Sequence, residues 1–160
     1  MSNLTHVDAS GSANMVDVNS KAETVRVATA EAFIYMSQAT IDEVLAHQNK
    51  KGDVLTTAKI AGIMAAKKCS DLIPLCHPLM LSQVDVDIEV QAEQLRLRVT
   101  SLCKLSGKTG VEMEALTAVS VAALTLFDMC KASDPNMRIE GMRVLSKSGG
   151  KTGDWQHPNT

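Results

Sequence analysis

The stretch VDVDIEVQAEQLRLRV, Val84 to Val99, decides the fold. Val84, Val86, Ile88 and Val90 alternate with Asp85, Asp87 and Glu89. After Gln91-Ala92-Glu93-Gln94, the residues Leu95, Leu97 and Val99 alternate with Arg96 and Arg98. A period of two puts the apolar side chains of each run on one face, so the stretch reads as an antiparallel hairpin with one buried side. Acids on the first strand then face arginines on the second, as structural pairs of modest value. The buried side of such a hairpin has to be covered.

The cover comes from both directions along the chain. Downstream, Val111 to Ala132 reads as a long helix, with Leu116, Val119, Ala123, Leu126 and Cys130 at steps of three and four. Its filler is rich in Ala, so partners can approach closely. Asp134-Pro135-Asn136 ends it, and Met137 to Leu145 reads as a last strand. Upstream, Met15 to Val18 is a candidate short strand and Val25 to Tyr35 a longer one. Thr40 and Glu43 fit a capping box that opens a short helix through Val44, Leu45 and His47. Asp53 follows the Asn49–Gly52 loop as an N-cap for a helix carrying Leu55, Ile60, Ile63 and Met64. Pro74 and Pro78 hold LIPLCHPLM extended and rigid. Strands and helices interleave around the hairpin, which implies an α+β sandwich with helices on an antiparallel sheet. Residues 1–13 read as a flexible arm, 14–146 as one domain and 147–160 as a flexible Gly-rich tail.

Composition bounds the function. The 160 residues suit one core, and 45 % hydrophobic with 21 % charged residues is globular. Aromatics are 2 %, so the core is aliphatic. A net charge of −2 argues against a dedicated nucleic-acid binder. No apolar run suggests a bilayer span, and the N-terminus lacks a secretory pattern, so a cytoplasmic protein is expected. Cys69, Cys76, Cys103 and Cys130 show neither CxxC nor zinc spacing and read as free thiols.

Gly-Lys-Thr-Gly occurs twice, at 107–110 and 150–153. A phosphate-cradling P-loop needs a glycine five positions earlier, where this chain has Leu102 and Leu145. A P-loop GTPase is therefore disfavoured, and Thr109 with Glu112 reads instead as a capping box. Glu112 and Glu114 complement a helix dipole, or form a carboxylate pair for the adjacent N–H donors of a guanine-like base. Asp128 and Lys131, three apart on one helix face, make a surface ion pair or a partly desolvated proton-transfer pair within ALTLFDMCKA. His77 is a structural histidine or, on its proline-stiffened segment, a positioned acid, base or donor. Lys51 and Lys147 sit on glycine-containing loops able to close over an anion.

Together DLIPLCHPLM, GKTGVEMEALTAVSVAALTLFDMCKA and KSGGKTGD resemble the cyclic pyranopterin monophosphate synthases, the molybdenum-cofactor biosynthesis protein C family in its bacterial form. MVDV, the Lys51-Gly52-Asp53 turn and AKIAGIMAAKK fit as well, so the resemblance covers about residues 14 to 154. It implies a ferredoxin-like fold and a homohexamer built as a trimer of dimers. It implies a lyase that turns a 3′,8-cyclised dihydro-GTP into cyclic pyranopterin monophosphate with release of diphosphate. Asp128 and Lys131 match the catalytic pair, and Lys51, His77, Glu112 and Glu114 match other active-site residues. Leu75, Cys76 and Met113 match substrate contacts, and Lys147 matches a loop residue near the phosphates. No cofactor is implied, and magnesium on the triphosphate is left open.

Helix geometry adds an expectation. Glu112 and Asp128 are sixteen residues apart, roughly 24 Å along a straight helix. One compact site cannot hold both from one chain, so a shared subunit interface is expected. The rival reading is a non-catalytic assembly subunit whose Ala-rich helix serves oligomer packing.

Overall fold

The computed structural model describes residues 6–7, 10–47 and 52–158. The Val84–Val99 stretch forms the expected hairpin. Strand β2 (Gln83–Gln91) pairs antiparallel with β3 (Arg96–Gly107), placing Val84 opposite Cys103 and Val90 opposite Leu97. A 3-10 turn at Ala92–Gln94 joins them, and Leu95 closes it in the left-handed region at φ 53° instead of opening the second strand. The cross-hairpin charge pairing is narrower than the alternation predicts. Asp85 and Asp87 stand opposite Leu102 and Thr100, and Asp87 pairs with Lys59 instead.

Strand β1 (Thr24–Tyr35) lies between β3 and β4 (Arg138–Ser148), and β5 (Trp155–Gln156) extends the β4 edge. All pairings are antiparallel, in the order β2-β3-β1-β4-β5. The β-α-β-β-α-β succession with this order is the ferredoxin-like arrangement, with β5 added. Helices α1 (Gln38–Leu45), α2 (Val54–Ala66), the short α3 (Cys69–Leu72) and α4 (Glu112–Cys130) complete it. The long helices α2 and α4 pack against each other and against one face of the sheet.

Small side chains make that layer close. Ala28, Ala30, Ala32 and Ile34 of β1 and Leu97, Val99, Cys103 and Leu105 of β3 face Ala115, Ala118, Val119, Ala122 and Leu126 of α4, all buried. Gly62 lets α2 touch α4, since a Cβ there would stand 2.8 Å from the Ala118 carbonyl oxygen. The alanines of α4 are thus spent inside this chain's own core, which removes the premise that they form an assembly surface. Helix α4 is long and apolar enough to cross a membrane, contrary to the sequence reading, yet over half of it is buried in the fold, as in a core helix.

The other sheet face explains where the aromatics went. Arg96 lies over Phe33 at 4.1 Å, and Arg138 lies over Tyr35 at 4.4 Å. Between them Glu31, 1 % exposed, is held by Arg98 at 2.8 Å and Arg143 at 2.7 Å.

Local signals held where a side chain had a free partner. Asp53 caps α2 by accepting from the Thr56 amide at 2.9 Å, and the Thr56 hydroxyl beside it lowers its proton affinity further. For α1 the cap is Ser37, not Thr40, whose buried hydroxyl sits 2.9 Å from Ser37 Oγ. Met15 to Val18 forms no strand, and 73–75 turns before the extended run at 76–80. Strand β4 runs through Ser148, so Lys147 belongs to a strand and not to a tail beginning there. Most of the arm expected over 1–13, and Lys51, lie outside the described residues.

Candidate functional site

The approach to α4 builds the site. Strand β3 ends at Gly107, and Lys108-Thr109-Gly110 carries the chain to Val111, which is fully buried and occupies the cap position without a side-chain hydrogen bond. The Thr109–Glu112 capping box does not form, because an apolar anchor replaces the polar cap and Glu112 becomes the first helical residue. The Glu112 carboxylate folds back over Gly110, where any Cβ would overlap it. Neither Gly-Lys-Thr-Gly copy forms a P-loop, since Leu102 is locked in β3 opposite Thr29 and Asp85 and Leu145 lies within β4.

The second wall is the segment after α3. The Cys76 amide donates to the Ile73 carbonyl at 3.1 Å and turns the chain, after which Cys76, His77 and Pro78 run extended. His77 Nε2 lies 2.8 Å from the Val16 carbonyl oxygen. A carbonyl only accepts, so Nε2 carries the hydrogen and Nδ1 is the nitrogen able to take a proton.

These walls enclose a pocket of 130 Å³ lined by Leu75, Cys76, His77, Glu112, Met113 and Glu114, with Thr109 and Gly110 at one side. Six of the residues singled out in the sequence therefore meet at one place. Glu114 is 3 % exposed. Burial pushes its proton affinity up, and Glu112 nearby adds to that, while its own amide and the Cys69 thiol pull the other way.

A larger cleft of 680 Å³ lies across Thr109 and Gly110 and is lined by Lys21, Arg26, Lys108 and Lys151. Both Gly-Lys-Thr-Gly turns line it. Gly150, at φ +84°, sits against the Arg26 guanidinium where no Cβ fits. Arg26 Nε is buried and has no hydrogen-bond partner among the described residues. Lys108 is oriented by the Asn19 carbonyl at 2.9 Å. The sequence reading missed Lys21, Arg26 and Lys108. The one signal available was the repetition itself, since two copies of a turn suggest a shared purpose. Lys147 bridges the two spaces, 3.5 Å from Glu112 and 3.3 Å from the Thr152 hydroxyl.

Asp128 and Lys131 are not brought to this place. They pair at 2.7 Å near the far end of α4, with side chains 59 % and 53 % exposed. The desolvation expected from the apolar run ALTLFDMCKA is absent within the chain, because the helix turns Asp128 outward while its neighbour Met129 packs inward. An ion pair this exposed adds well under ~1 kcal/mol to stability.

The MoaC family model matches residues 15–150, a span that contains both pocket walls, both ends of α4 and Lys147. That match covers far more than half of the chain and implies a part in molybdenum cofactor biosynthesis, acting on a nucleotide-derived substrate. The chain belongs to the MoaC family.

Proposed function

We propose that the protein is a cyclic pyranopterin monophosphate synthase, a lyase converting (8S)-3′,8-cyclo-7,8-dihydroguanosine 5′-triphosphate to cyclic pyranopterin monophosphate and diphosphate. The observation that carries this reading is the adjoining pair of spaces. An acid-walled pocket and a cleft with four cations share Thr109 and Gly110. That pairing suits a molecule with a guanine-derived ring at one end and a triphosphate at the other.

In this reading Glu112 and Glu114 accept the ring's N–H donors, and a bond to Glu114 favours the ionised carboxylate that burial opposes there. Leu75, Cys76 and Met113 shape the ring's seat. Lys21, Arg26, Lys108 and Lys151, with Lys147 between the spaces, stabilise charge as it gathers on the departing diphosphate. Asp128, Lys131, Lys51 and His77 carry the proton transfers of ring opening and closure. No cofactor enters the scheme. Magnesium arriving with the triphosphate would offset charge on the departing diphosphate.

Asp128 and Lys131 then have to come from a second copy, in a cytoplasmic homohexamer made of dimers. Leu116, Ser120, Leu124 and Asp128 recur along α4 at four-residue steps; Leu116 and Ser120 are half-buried, Asp128 is exposed, and Leu124 is 58 % exposed. Ser120 is midway between Glu112 and Asp128. Two α4 helices antiparallel about Ser120 would bring each Asp128–Lys131 pair to the partner's Glu112, as a two-fold contact requires.

The test is a single turnover with the cyclised nucleotide, read by pterin fluorescence and released diphosphate. Absence of both products with the intact oligomer would sink the assignment. Mixing inactive Asp128→Ala and Glu114→Ala subunits should restore activity. Failure to do so after proven subunit exchange would remove the shared site.

A further inference from the structure

His6 reaches the 130 Å³ pocket from outside both of its walls, and lines it together with Glu112 and Glu114. Its backbone is tied down twice. Val7 forms an antiparallel bridge with Ala13, and the Asn14 amide donates to the His6 carbonyl at 3.0 Å. Its ring is held as well, with Nδ1 3.3 Å from the Asn14 carbonyl oxygen. A carbonyl only accepts, so Nδ1 carries the hydrogen and Nε2 is the nitrogen left for a ligand. That is the opposite tautomer to His77, whose Nε2 donates to the Val16 carbonyl.

The segment that does this holding belongs to no helix or strand over residues 14–18. Three of its carbonyls nevertheless go to side chains of the site. Asn14 takes His6, Val16 takes His77 and, just beyond, Asn19 takes Lys108. His6 itself is exposed, so its tethers bury little apolar surface and add little to the core. What they do is fix the place of an imidazole.

We propose that His6 is a binding residue of the pocket, offering Nε2 to the edge of a guanine-derived ring, and that residues 14–19 are the frame that holds His6, His77 and Lys108 in one arrangement. The inference deepens the proposed reaction and rests on it for the identity of the ring. His6 lies before the span 15–150 that the family match covers, and the sequence reading leaves it in a flexible arm. The chemistry fits the gap that the acids leave. Ionised Glu112 and Glu114 only accept, whereas a guanine-derived ring presents acceptors beside its N–H donors. An imidazole Nε2 can meet either kind of edge, accepting when neutral and donating when protonated. The titratable groups sharing the pocket with it are Cys76, His77, Glu112 and Glu114.

The experiment uses the full chain and two probes, GTP and inorganic triphosphate, with binding measured by calorimetry. His6→Ala should weaken GTP about three- to tenfold, the order expected for one hydrogen bond. Inorganic triphosphate has no ring and should bind as to the native protein. His6→Gln carries an amide to the place of Nε2 and should recover most of the loss. His6→Asn reaches only as far as Nδ1 and should not. Asn14→Pro keeps the imidazole but removes the amide hydrogen that anchors its backbone, and should weaken GTP as His6→Ala does. Nitrogen NMR of the unliganded protein should find the imidazole hydrogen on Nδ1 of His6 and on Nε2 of His77. With the cyclised nucleotide, the losses should appear in KM more than in kcat. Native GTP affinity in His6→Ala overturns the proposal. So does an equal loss for both probes, which would make the effect a general one on the basic cleft. If the native protein binds GTP but does not turn over the cyclised nucleotide, the reaction assignment fails, while the binding series still judges His6.

Discussion

Glu114 and Asp128 stand on one helix, fourteen residues apart, and meet opposite surroundings. Glu114 is 3 % exposed and walled by thiols, an apolar loop and a neighbouring carboxylate. The Asp128 side chain is 59 % exposed and paired with Lys131. The same fold thus prepares one acid and leaves the other in water. Burial, with Glu112 nearby, raises the proton affinity of Glu114 within its own chain. The difference teaches that one helix can bury an acid at one end and leave another in water at the other, according to which side of the helix meets the core.

The largest expected effect separates the two ends most sharply. Asp128→Asn should lower turnover by about 10² to 10⁴, the usual cost of losing a group that transfers a proton. Its stability should stay within ~0.5 kcal/mol of the native protein in urea unfolding, since the site is exposed. A large loss of stability would mean that Asp128 is structural, and the contrast would collapse. Next comes the spacer between the ends. Gly62→Ala should cost about 1–3 kcal/mol, measured by the same unfolding curves, because a Cβ would meet the Ala118 carbonyl. A neutral result would show that α2 and α4 can slide and that the separation of the ends is soft.

Glu114→Gln probes the prepared end by pH. The Glu114 proton affinity is raised by burial above the ordinary 4.5, so its ionisation works against the fold. Native stability should decline as pH rises from 4.5 through the raised value, with a slope of at most about 1.4 kcal/mol per pH unit. Glu114→Gln should flatten that segment of the curve. An unchanged slope would show that Glu114 is hydrated in solution. The smallest effect on the single chain is expected from Leu124→Trp, within ~0.5 kcal/mol of native stability because Leu124 is exposed. Sedimentation should nevertheless show a smaller assembly, with activity falling in parallel. Native sedimentation with lost activity would point to a different interface.

Much of this contrast was legible in advance. The spacing of Asp128 and Lys131, their distance from Glu112, and the clustering of Leu75 to His77 are sequence facts. The hairpin's apolar face and the α4 core positions are buried as expected, and the inferences that failed are three local ones. ALTLFDMCKA looks apolar around Asp128, but a helix distributes neighbours around its axis, and Asp128 falls on the outer ridge. Thr109 and Glu112 have the spacing of a capping box, but buried Val111 sits where the cap would be. Lys147 looks like part of a glycine-rich tail, yet its backbone pairs with Ala28 in the sheet.

By itself the sequence determined the elements and their order, because period-two and helical patterns, an Asp cap and a hairpin are local properties of the chain. It determined too that the Glu112 and Asp128 ends of one α4 stand roughly 24 Å apart, since the rise of a helix is fixed. Only the tertiary structure decided that both Gly-Lys-Thr-Gly turns line one basic cleft. It alone decided that Glu31 joins two arginines under an aromatic face and that buried Glu114 shares one pocket with Cys76 and His77. Those are contacts between residues dozens of positions apart, set by strand order and register, and no local pattern encodes them.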